Sequence, residues 1–500
     1  MAITAGGILN STPAAGQMTL SSNYLDLATT ANQGWAQQYL PDLMEKEAEV
    51  FGPRTISGFL SQVGAEEAMT ADQVVWSEQG RLHLSYKGKV SSGATATVVN
   101  GGIIEIETDI DGNDIGTDHG VRVNDTVIVA SAGGVMKAIV TEAVRGSALI
   151  EIAGYDVVSL TTASITETTA QSVTILVYGS EFLKGRSYSP ATDIDGTQTD
   201  TRTANEPSFK SFMNKPIIMR DYYEVSGSDA SRIGWVEVAA EDGQAGYLWY
   251  LKAEADTRAR FNDHLEMTML EAIPGSNSTN VDGELGYSTE SQAGTKGLFY
   301  EIEQRGNVTT GITGVNAATD LAEFDAILAE FDKQGAIEEN MMFVNRATSL
   351  AMDDMLASMN SYGAGGTSYG VFNNSEDMAL NLGFSGFRRG SYDFYKSDFR
   401  YLNDLATRGG INAANSSSAI RGVIIPAGTS TVYDQNLGKN MKRPFLHVRY
   451  RASATDNRKM KSWVTGSVGA ATSALDAMQL HMLTERCLIT QGANNFMLLT

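Results

Sequence analysis

One segment of this chain matches a catalytic motif, the G-x-S-x-G pattern of hydrolase nucleophile elbows, at Gly366–Gly370. In that motif the serine needs a buried strand before it and a helix after it. Here residues 358–365 precede the pattern, and they are polar and rich in glycine. We therefore interpret Ser368 as part of a flexible surface loop, and we expect no catalytic residue in this chain.

Histidine and cysteine are too few and too scattered to suggest a metal centre or an activated nucleophile. No two histidines have the spacing of zinc ligands, and the single cysteine, Cys487, has no partner. Cys487 falls in a helical pattern, and a lone cysteine of this kind is usually a small buried side chain, which indicates a reducing cytoplasm. We expect no metal and no cofactor. The five histidines are His83, His119, His264, His447 and His481.

Two groups of acidic residues have part of a cation-binding pattern. The first has the initial spacing of a calcium loop, but aspartate stands where that loop needs glycine, and Gly120 stands where it needs glutamate. We interpret both groups as surface turns, and calcium binding remains an open alternative. The groups are Asp109, Asp111, Asn113 and Asp114, and then Asp193 and Asp195.

Eight basic residues are concentrated between positions 439 and 461, where Asp456 is the one acid. They form either a solvated basic face or a contact surface, and the contact would be with an acidic neighbouring subunit or with DNA. The eight residues are Lys439, Lys442, Arg443, Arg449, Arg451, Arg458, Lys459 and Lys461.

Composition describes a large acidic globular chain. Its 500 residues carry a formal net charge of −22, which argues against a protein that binds nucleic acid over its whole surface. Apolar residues make up 42%, enough for more than one core, and 50 glycines against 9 prolines suggest many turns between strands. No apolar run is long enough to span a membrane, and the first residues do not resemble a secretory signal.

Hydrophobic patterning changes along the chain. Residues 1–35 are polar and predict an extended arm, and residues 35–51 predict a short helix. Residues 90–178 are rich in Val, Ile and Thr and contain eleven acidic residues against three basic ones, which predicts an inserted acidic β-barrel or sandwich. The predicted strands are 95–99, 102–107, 126–130, 135–140, 148–152 and 173–178.

The rest of the chain mixes helices and strands. The longest predicted helix covers residues 234–273, which at 1.5 Å per residue would span roughly 60 Å. Helices at 321–334 and 347–359 enclose a buried strand, Met341–Val344, in an α/β alternation. Further strands are predicted at 421–428 and 445–450, and a short helix at 474–486.

In this order the parts resemble the major capsid proteins of tailed bacteriophages, which have the Hong Kong 97 (HK-97-like) fold; the general character also resembles crAss-like gut phages. The resemblance implies an α+β fold and covers nearly the whole chain outside residues 90–178. It depends on the order of parts and not on fixed residues. It implies an N-terminal arm with a short helix at 1–53, followed by an extended loop (E-loop) at 54–89 and 179–214. This loop carries the inserted all-β domain at 90–178. The remaining parts are a peripheral domain at 215–317 and 431–500, with its spine helix at 234–273, and an axial domain at 318–430.

The resemblance also implies a function and partners. The chain would assemble with itself as hexamers and pentamers into an icosahedral phage head around double-stranded DNA, which it would contact without sequence specificity. The implied partners are a portal protein, a scaffold protein made as a separate chain, and auxiliary capsid or head-fibre proteins on the exterior. The implied location is the virion capsid, after assembly in the cytoplasm of the host bacterium, with no membrane contact.

Three alternatives stay open from the sequence. The first is another virion structural protein, although tail and fibre proteins tend to be β-rich throughout. The second is an encapsulin-type shell, which shares the same fold. The third is a secreted hydrolase with a β-module, which would need a pair of carboxylates in a cleft, and no strong candidate pair is visible in the sequence.

Overall fold

The computed structural model of this chain places the residues in two compact units. One unit, here called the sheet unit, comprises Met1–Trp76 and Met213–Thr500, and the other, the barrel unit, comprises Ser77–Phe212. The predicted arm and short helix at 1–53, the strand at 95–99 and the Ser368 loop lie outside the residues that the structure describes. Those described are 65–78, 81–91, 101–143, 146–156, 160, 163–182, 184, 210–228, 237–239, 245–275, 294–335, 337–360, 386–427, 429–434, 439–467 and 472–500.

Strands dominate the described part of the chain. In chain order they are β1 Ala65–Met69, β2 Val74–Glu78, β3 Ser85–Val90, β4 Gly101–Asp109, β5 Asp125–Ser131, β6 Gly134–Ala143, β7 Leu149–Gly154, β8 Val173–Ser180, β9 Lys210–Asn214, β10 Ile217–Ser226, β11 Glu237–Ala239, β12 Ala245–Tyr247, β13 Asn307–Thr309, β14 Glu339–Val344, β15 Gly386–Arg389, β16 Tyr392–Asp398, β17 Gly422–Pro426, β18 Thr429–Asp434, β19 Lys439–Pro444, β20 Leu446–Arg451, β21 Lys461–Gly466, β22 Ala477–Thr490 and β23 Met497–Leu499.

The α-helices of the described residues all belong to the sheet unit. The helix Ala317–Gln334 is capped at its start by Asn316, whose side-chain oxygen accepts hydrogen bonds from two backbone N–H groups of the first turn. Gly335, in the left-handed conformation, follows its last residue. The helices are α1 Leu248–Glu271, α2 Leu298–Arg305, α3 Ala317–Gln334, α4 Arg346–Asn360 and α5 Arg408–Ala414.

The barrel unit is a closed six-stranded barrel with the order β3-β4-β7-β6-β5-β8, in which every neighbouring pair is antiparallel. Alternate residues of each strand point inward, as Ile104 and Ile106 of β4 do. Gly101 allows close approach of β4 to β7, because a Cβ there would lie 1.7 Å from the carbonyl oxygen of Ile152. The core of the barrel is its own, and it is formed by Tyr86, Ile104, Ile106, Val121, Val127, Val129, Met136, Ala138, Val140, Ile150, Ile152, Leu160, Ile165, Val173 and Ile175.

Five of the six strands predicted at 90–178 are present as β4 to β8. The barrel starts earlier than the predicted boundary at residue 90, because β3 at Ser85–Val90 pairs with both β4 and β8 and closes the barrel. Tyr86 belongs to the barrel core, so this strand is not part of an extended loop. β2 and β9, on either side of the barrel in sequence, pair with each other in a two-stranded sheet.

The sheet unit contains a five-stranded sheet with the order β1-β20-β22-β10 and with β21 also paired to β22. β22 pairs along one edge with β21 over its first half and with β20 over its second half, and along the other edge with β10. β1 runs parallel to β20, and Glu67 lies beside Arg449. This parallel pair joins two segments separated by most of the chain.

The helix predicted at 474–486 is wrong, because the segment is part of the 14-residue strand β22. Towards its end this strand buries the side chains of both its faces, so the apolar residues do not alternate with polar ones. Leu480, Leu483 and Cys487 therefore recur three and four residues apart, which is also the spacing of a helix. Cys487 therefore lies in a strand and not in a helix.

A second, six-stranded mixed sheet has the order β13-β23-β17-β14-β16-β15. Both of its faces are covered, which explains the continuous apolar runs of β14 and β17. Met342 and Ile424 face α3 and α4, whereas Phe343 and Val423 face a core shared with α1, α2 and the five-stranded sheet. The C-terminal strand β23 lies inside this sheet, between β13 and β17, although the resemblance assigned residues 431–500 to the peripheral domain.

The predicted spine helix is shorter than expected. α1 covers Leu248–Glu271, which is 24 residues and about 36 Å at the usual rise of an α-helix, and β11 and β12 occupy positions 237–239 and 245–247. The prediction was too long because apolar residues with helical spacing continue upstream of Leu248, and such spacing alone does not show where a helix begins. Leu265, Met269 and Leu270 of α1 enter the shared core.

Candidate functional site

The five-stranded sheet brings together five members of the predicted basic cluster. Arg449 and Arg451 lie on β20, Arg458 and Lys459 lie in the turn that follows, and Lys461 opens β21. The remaining three, on β19, pair through their backbone with β18, and their side chains lie outside the described part of the structure. The three are Lys439, Lys442 and Arg443.

Glu485 of β22 is the centre of the charges on one face of this sheet. Its side chain is 4% exposed, and Oε1 accepts a hydrogen bond of 2.6 Å from Arg451 Nε. Oε2 lies 2.9 Å from an Nη atom of Arg458, and Arg451 also pairs with Asp72. On the same face Arg449 lies 3.0 Å from Glu67 of β1. These contacts tie β1, β20 and β22 together.

A second set of charges lies on the opposite face, because Arg486 follows Glu485 directly along the strand. Arg486 donates to Glu66 at 2.7 Å, and Lys459 pairs with the same carboxylate and lies 5.3 Å from the centre of the Tyr450 ring. Burial opposes ionisation of Glu66, but Lys459 and Arg486 outweigh burial and lower the pKa of its carboxyl.

Sequence reasoning found the cations of this network and missed the residues that accompany them. All of them lie outside positions 439–461 in the sequence, and they are Glu66, Glu67, Asp72, Glu485 and Arg486. The one local signal was the pair Glu485-Arg486 inside an apolar segment, where charges are rare unless they are paired. Within the described residues, the cluster therefore joins strands of its own chain.

A row of stacked rings crosses the same face as Glu485, next to that network. Tyr222 of β10 stacks on His481 of β22 with ring centres 5.9 Å apart, and His481 stacks on Trp463 of β21 at 5.2 Å. The three residues are direct cross-strand neighbours, so the row reinforces the register of three strands. The Nε2 atom of His481 lies 2.7 Å from the Thr465 hydroxyl.

An open cleft of about 490 Å³ lies beside the aromatic row. Lys461 on its wall pairs with Asp456 at 2.8 Å, and the Asp456 carboxylate has a lowered pKa, chiefly because it accepts a hydrogen bond from Lys461. The wall therefore carries three cations and one carboxylate, and it favours an anionic group. The lining residues are Arg220, Asp456, Arg458, Lys461, Trp463 and Leu483.

The structure does not bring the other candidate residues together. His119 lies in the barrel unit with Nε2 2.9 Å from the Ser147 carbonyl oxygen, and burial lowers its pKa. His447 is buried in β20, whereas His83 and His264 are exposed. Cys487 is buried, and burial raises the pKa of its thiol to about 12.

The first acidic group forms a self-contained turn after β4. Asp109 accepts hydrogen bonds from the backbone and the side chain of Asn113, at 2.9 and 3.0 Å. Asp111 forms a two-point ion pair with Arg81, and Asp114 accepts from the backbone of Gly116. Protein donors thus occupy all three carboxylates. The second group, at 193 and 195, lies outside the described residues.

No group of three or more His, Cys, Asp or Glu side chains among the described residues is placed to hold a metal ion. None of the helices in that part of the chain combines the length and the apolar character that a membrane crossing requires.

No protein-family model and no curated protein matches this chain. Among solved structures, it is similar to one from Microbacterium phage Oxtober96, at 8% identity and a TM-score of 0.36 over 95% of this chain and 99% of that one. It is also similar to the capsid of a native GTA particle, at 10% identity and a TM-score of 0.35 over 92% and 93% of the two chains. A third similar structure, from Mycobacterium phage Bobi, has 7% identity and a TM-score of 0.35 over 91% and 94%.

Proposed function

We propose that this chain is a capsid structural protein, and specifically the major capsid protein of a tailed bacteriophage with the HK-97-like fold. The observation that carries the proposal is the order of the described elements. A pair of strands, β2 and β9, brackets an inserted β-barrel. Then come a long helix beside β10, a layer of sheet and helices at 317–426, and C-terminal strands that return to complete both sheets. This is the order of parts in the family that the sequence resembles.

The physical role of such a chain is to make many shared contacts with its own copies. The polar arm at 1–35 and the parts of the predicted E-loop outside β1 and β3 contain too little apolar surface to fold alone, so they would acquire structure against neighbouring subunits. Each copy would then share interfaces well above the roughly 1,600 Å² of a standard complex. Heterologous contacts of this kind close into rings, and hexamers and pentamers are the rings from which an icosahedral head is built.

Further partners belong to the same proposal. The head would enclose double-stranded DNA and would be completed by a portal protein, a separate scaffold protein, and auxiliary capsid or head-fibre proteins outside. The subunit would assemble in the cytoplasm of the host bacterium and be found in the virion. The acidic barrel unit would lie on the exterior, since packaged DNA would repel its eleven acidic residues within 101–178.

Expression of the chain alone, followed by negative-stain electron microscopy and sedimentation velocity, tests the proposal. We expect closed shells or ring-shaped capsomers that form above a threshold concentration. A chain that remains a compact monomer at every concentration, with or without crowding agents, would refute it.

Deletion of residues 1–30 tests the role assigned to the arm. We expect a soluble, folded subunit that forms no shells, because the arm would supply contacts between copies and not the core of its own subunit. Normal shells from this variant would contradict that role. A cryo-EM map of the complete shells tests the placement of the barrel, and a barrel inside the shell would contradict the electrostatic argument.

A further inference from the structure

The face of the five-stranded sheet that carries the aromatic row points away from the core. Ile217 and Met219 of β10 pack against the shared core, and the alternating residues on the other face of the strand remain in solvent. Ile218 and Tyr222 on that outer face are 53% and 57% exposed. An outer face that carries exposed large apolar side chains on β10 beside the aromatic row has the composition of a protein contact surface.

Three cations lie beside this apolar patch. Arg220 lies between Ile218 and Tyr222 on β10, and its neighbours across the sheet are Leu483 and then Lys461. Lys461 and Arg458 complete the positive wall of the cleft, and each already has one carboxylate partner. The charges are therefore held in place before any partner arrives, which lowers the ordering cost of binding an anionic group.

The barrel unit contains an acidic loop whose charge is opposite to that of the cleft wall. Residues 109–118, between β4 and β5, hold four aspartates, of which Arg81 neutralises Asp111. Asp114 and Asp118 are exposed. The loop is rigid by construction, because Asp109 binds Asn113 and the backbone N–H of Asp118 donates to the Ile115 carbonyl at 3.0 Å. Ile115 packs against the barrel core and anchors the loop.

We propose that this outer sheet face is a docking surface for the acidic loop 109–118 of a second copy of the chain. The inference rests on the proposed function and names one contact of the lattice. DNA is the competing anionic occupant, but one feature of the face favours a protein. The exposed Ile218 and Tyr222 suit contact with apolar side chains and not with a sugar-phosphate backbone.

Charge reversal in the full-length chain tests the contact. The face variant is Arg220→Glu with Lys461→Glu, and the loop variant is Asp114→Lys with Asp118→Lys. A control with the same charge change reverses Lys333 and Arg388 to glutamate; both are well exposed and each forms a surface ion pair. The fourth protein combines the face and loop changes in one chain. Circular dichroism and thermal unfolding establish that each protein is folded, and light scattering gives its critical concentration for assembly.

We expect the face variant and the loop variant each to raise the critical concentration about tenfold, because two attractive contacts become repulsive. The control should stay within about twofold of the original chain, and the combined variant should return to within about threefold. A face variant that assembles like the control would overturn the contact. A combined variant that fails to recover would overturn the loop as its occupant.

Two further outcomes separate this inference from its competitors. If the face variant assembles normally and its shells bind labelled DNA more weakly than control shells do, the face binds DNA and the inference is wrong. If the original chain forms neither shells nor ring-shaped capsomers, the proposed function fails. If the original chain and the face variant both form shells with equal ease, the proposed function stands and only this contact is wrong.

Discussion

Replacement of Glu485 by glutamine removes the one carboxylate that Arg451 and Arg458 share. The substitution keeps the shape of the side chain and deletes its charge, so it tests electrostatics and not packing. Glutamine can still accept a hydrogen bond from Arg451 through its oxygen. Its amide group would then face Arg458, which currently lies 2.9 Å from the second carboxylate oxygen, and two donors would meet.

The expected cost follows from the exposure of the three side chains. Glu485 is 4% exposed, and the loss of a charged partner from a fully buried pair would cost about 3–5 kcal/mol. Arg451 and Arg458 are 23% and 30% exposed, so water compensates part of the loss. Arg451 also keeps Asp72 as a partner. We therefore expect the free energy of unfolding of the sheet unit to fall by about 2 kcal/mol.

Tryptophan fluorescence can follow the sheet unit by itself. The five tryptophans are at positions 35, 76, 235, 249 and 463, and none lies in the barrel unit at 77–212. Urea unfolding of the unassembled subunit, fitted by linear extrapolation, then gives the free energy of unfolding of that unit. The slope against urea should not change, since the substitution does not alter the buried area.

Glu330→Gln is the matched control, because Glu330 and Lys333 form an ion pair whose side chains are 39% and 71% exposed. This control should cost under about 0.5 kcal/mol. If Glu485→Gln costs no more than Glu330→Gln, the network does not stabilise the sheet, and its cations would be available for another purpose.

Three more predictions concern single titratable groups. Burial raises the pKa of Glu66, but Lys459 and Arg486 outweigh it and lower the pKa below its ordinary 4.5, so the sheet unit should lose stability as pH falls below that value. Urea unfolding of Glu66→Gln should show a smaller loss of stability over the same pH range, and an equal loss would show that Glu66 is not the group responsible. Burial lowers the pKa of His119 below 6.5, so the unfolded barrel takes up a proton first on acidification and the barrel should lose stability as pH falls below that value. Protection factors of barrel amides, which are corrected for the slower intrinsic exchange in acid, should therefore decrease there, and an equal decrease in His119→Gln would refute this. Burial raises the pKa of the Cys487 thiol to about 12, so a disulfide reagent at neutral pH should modify it only after unfolding, and rapid modification of the folded subunit would show that β22 opens.

Local patterns in the sequence were sufficient for the elements whose physics is local. Alternation of Val, Ile and Thr with polar residues predicted β4 to β8, because a barrel strand buries every second side chain. The same holds for α3 and α4, which were predicted at 321–334 and 347–359 and are present at 317–334 and 346–360. The apolar runs of β14 and β17 also predicted buried strands correctly.

Local patterns failed where burial on both faces removed the periodic signal. β22 is buried on both sides over its second half, so its apolar residues fit a helical spacing as well as a strand. The spine helix begins at Leu248 and not at 234, since tertiary pairing gives residues 237–239 and 245–247 to short strands. β3 was assigned to the wrong element because only its two barrel partners show where it belongs.

The sequence alone thus determined the charge of this chain, its β-rich insert, its main helices and the positions of its basic cluster. The tertiary structure decided what those basic residues touch. Arg451 meets Asp72 across 379 positions of sequence, and Arg486 meets Glu66 across 420. The sequence around a charged residue does not indicate which residue it will pair with. Strand pairing between distant segments, such as β1 beside β20, sets the distance between the two charges.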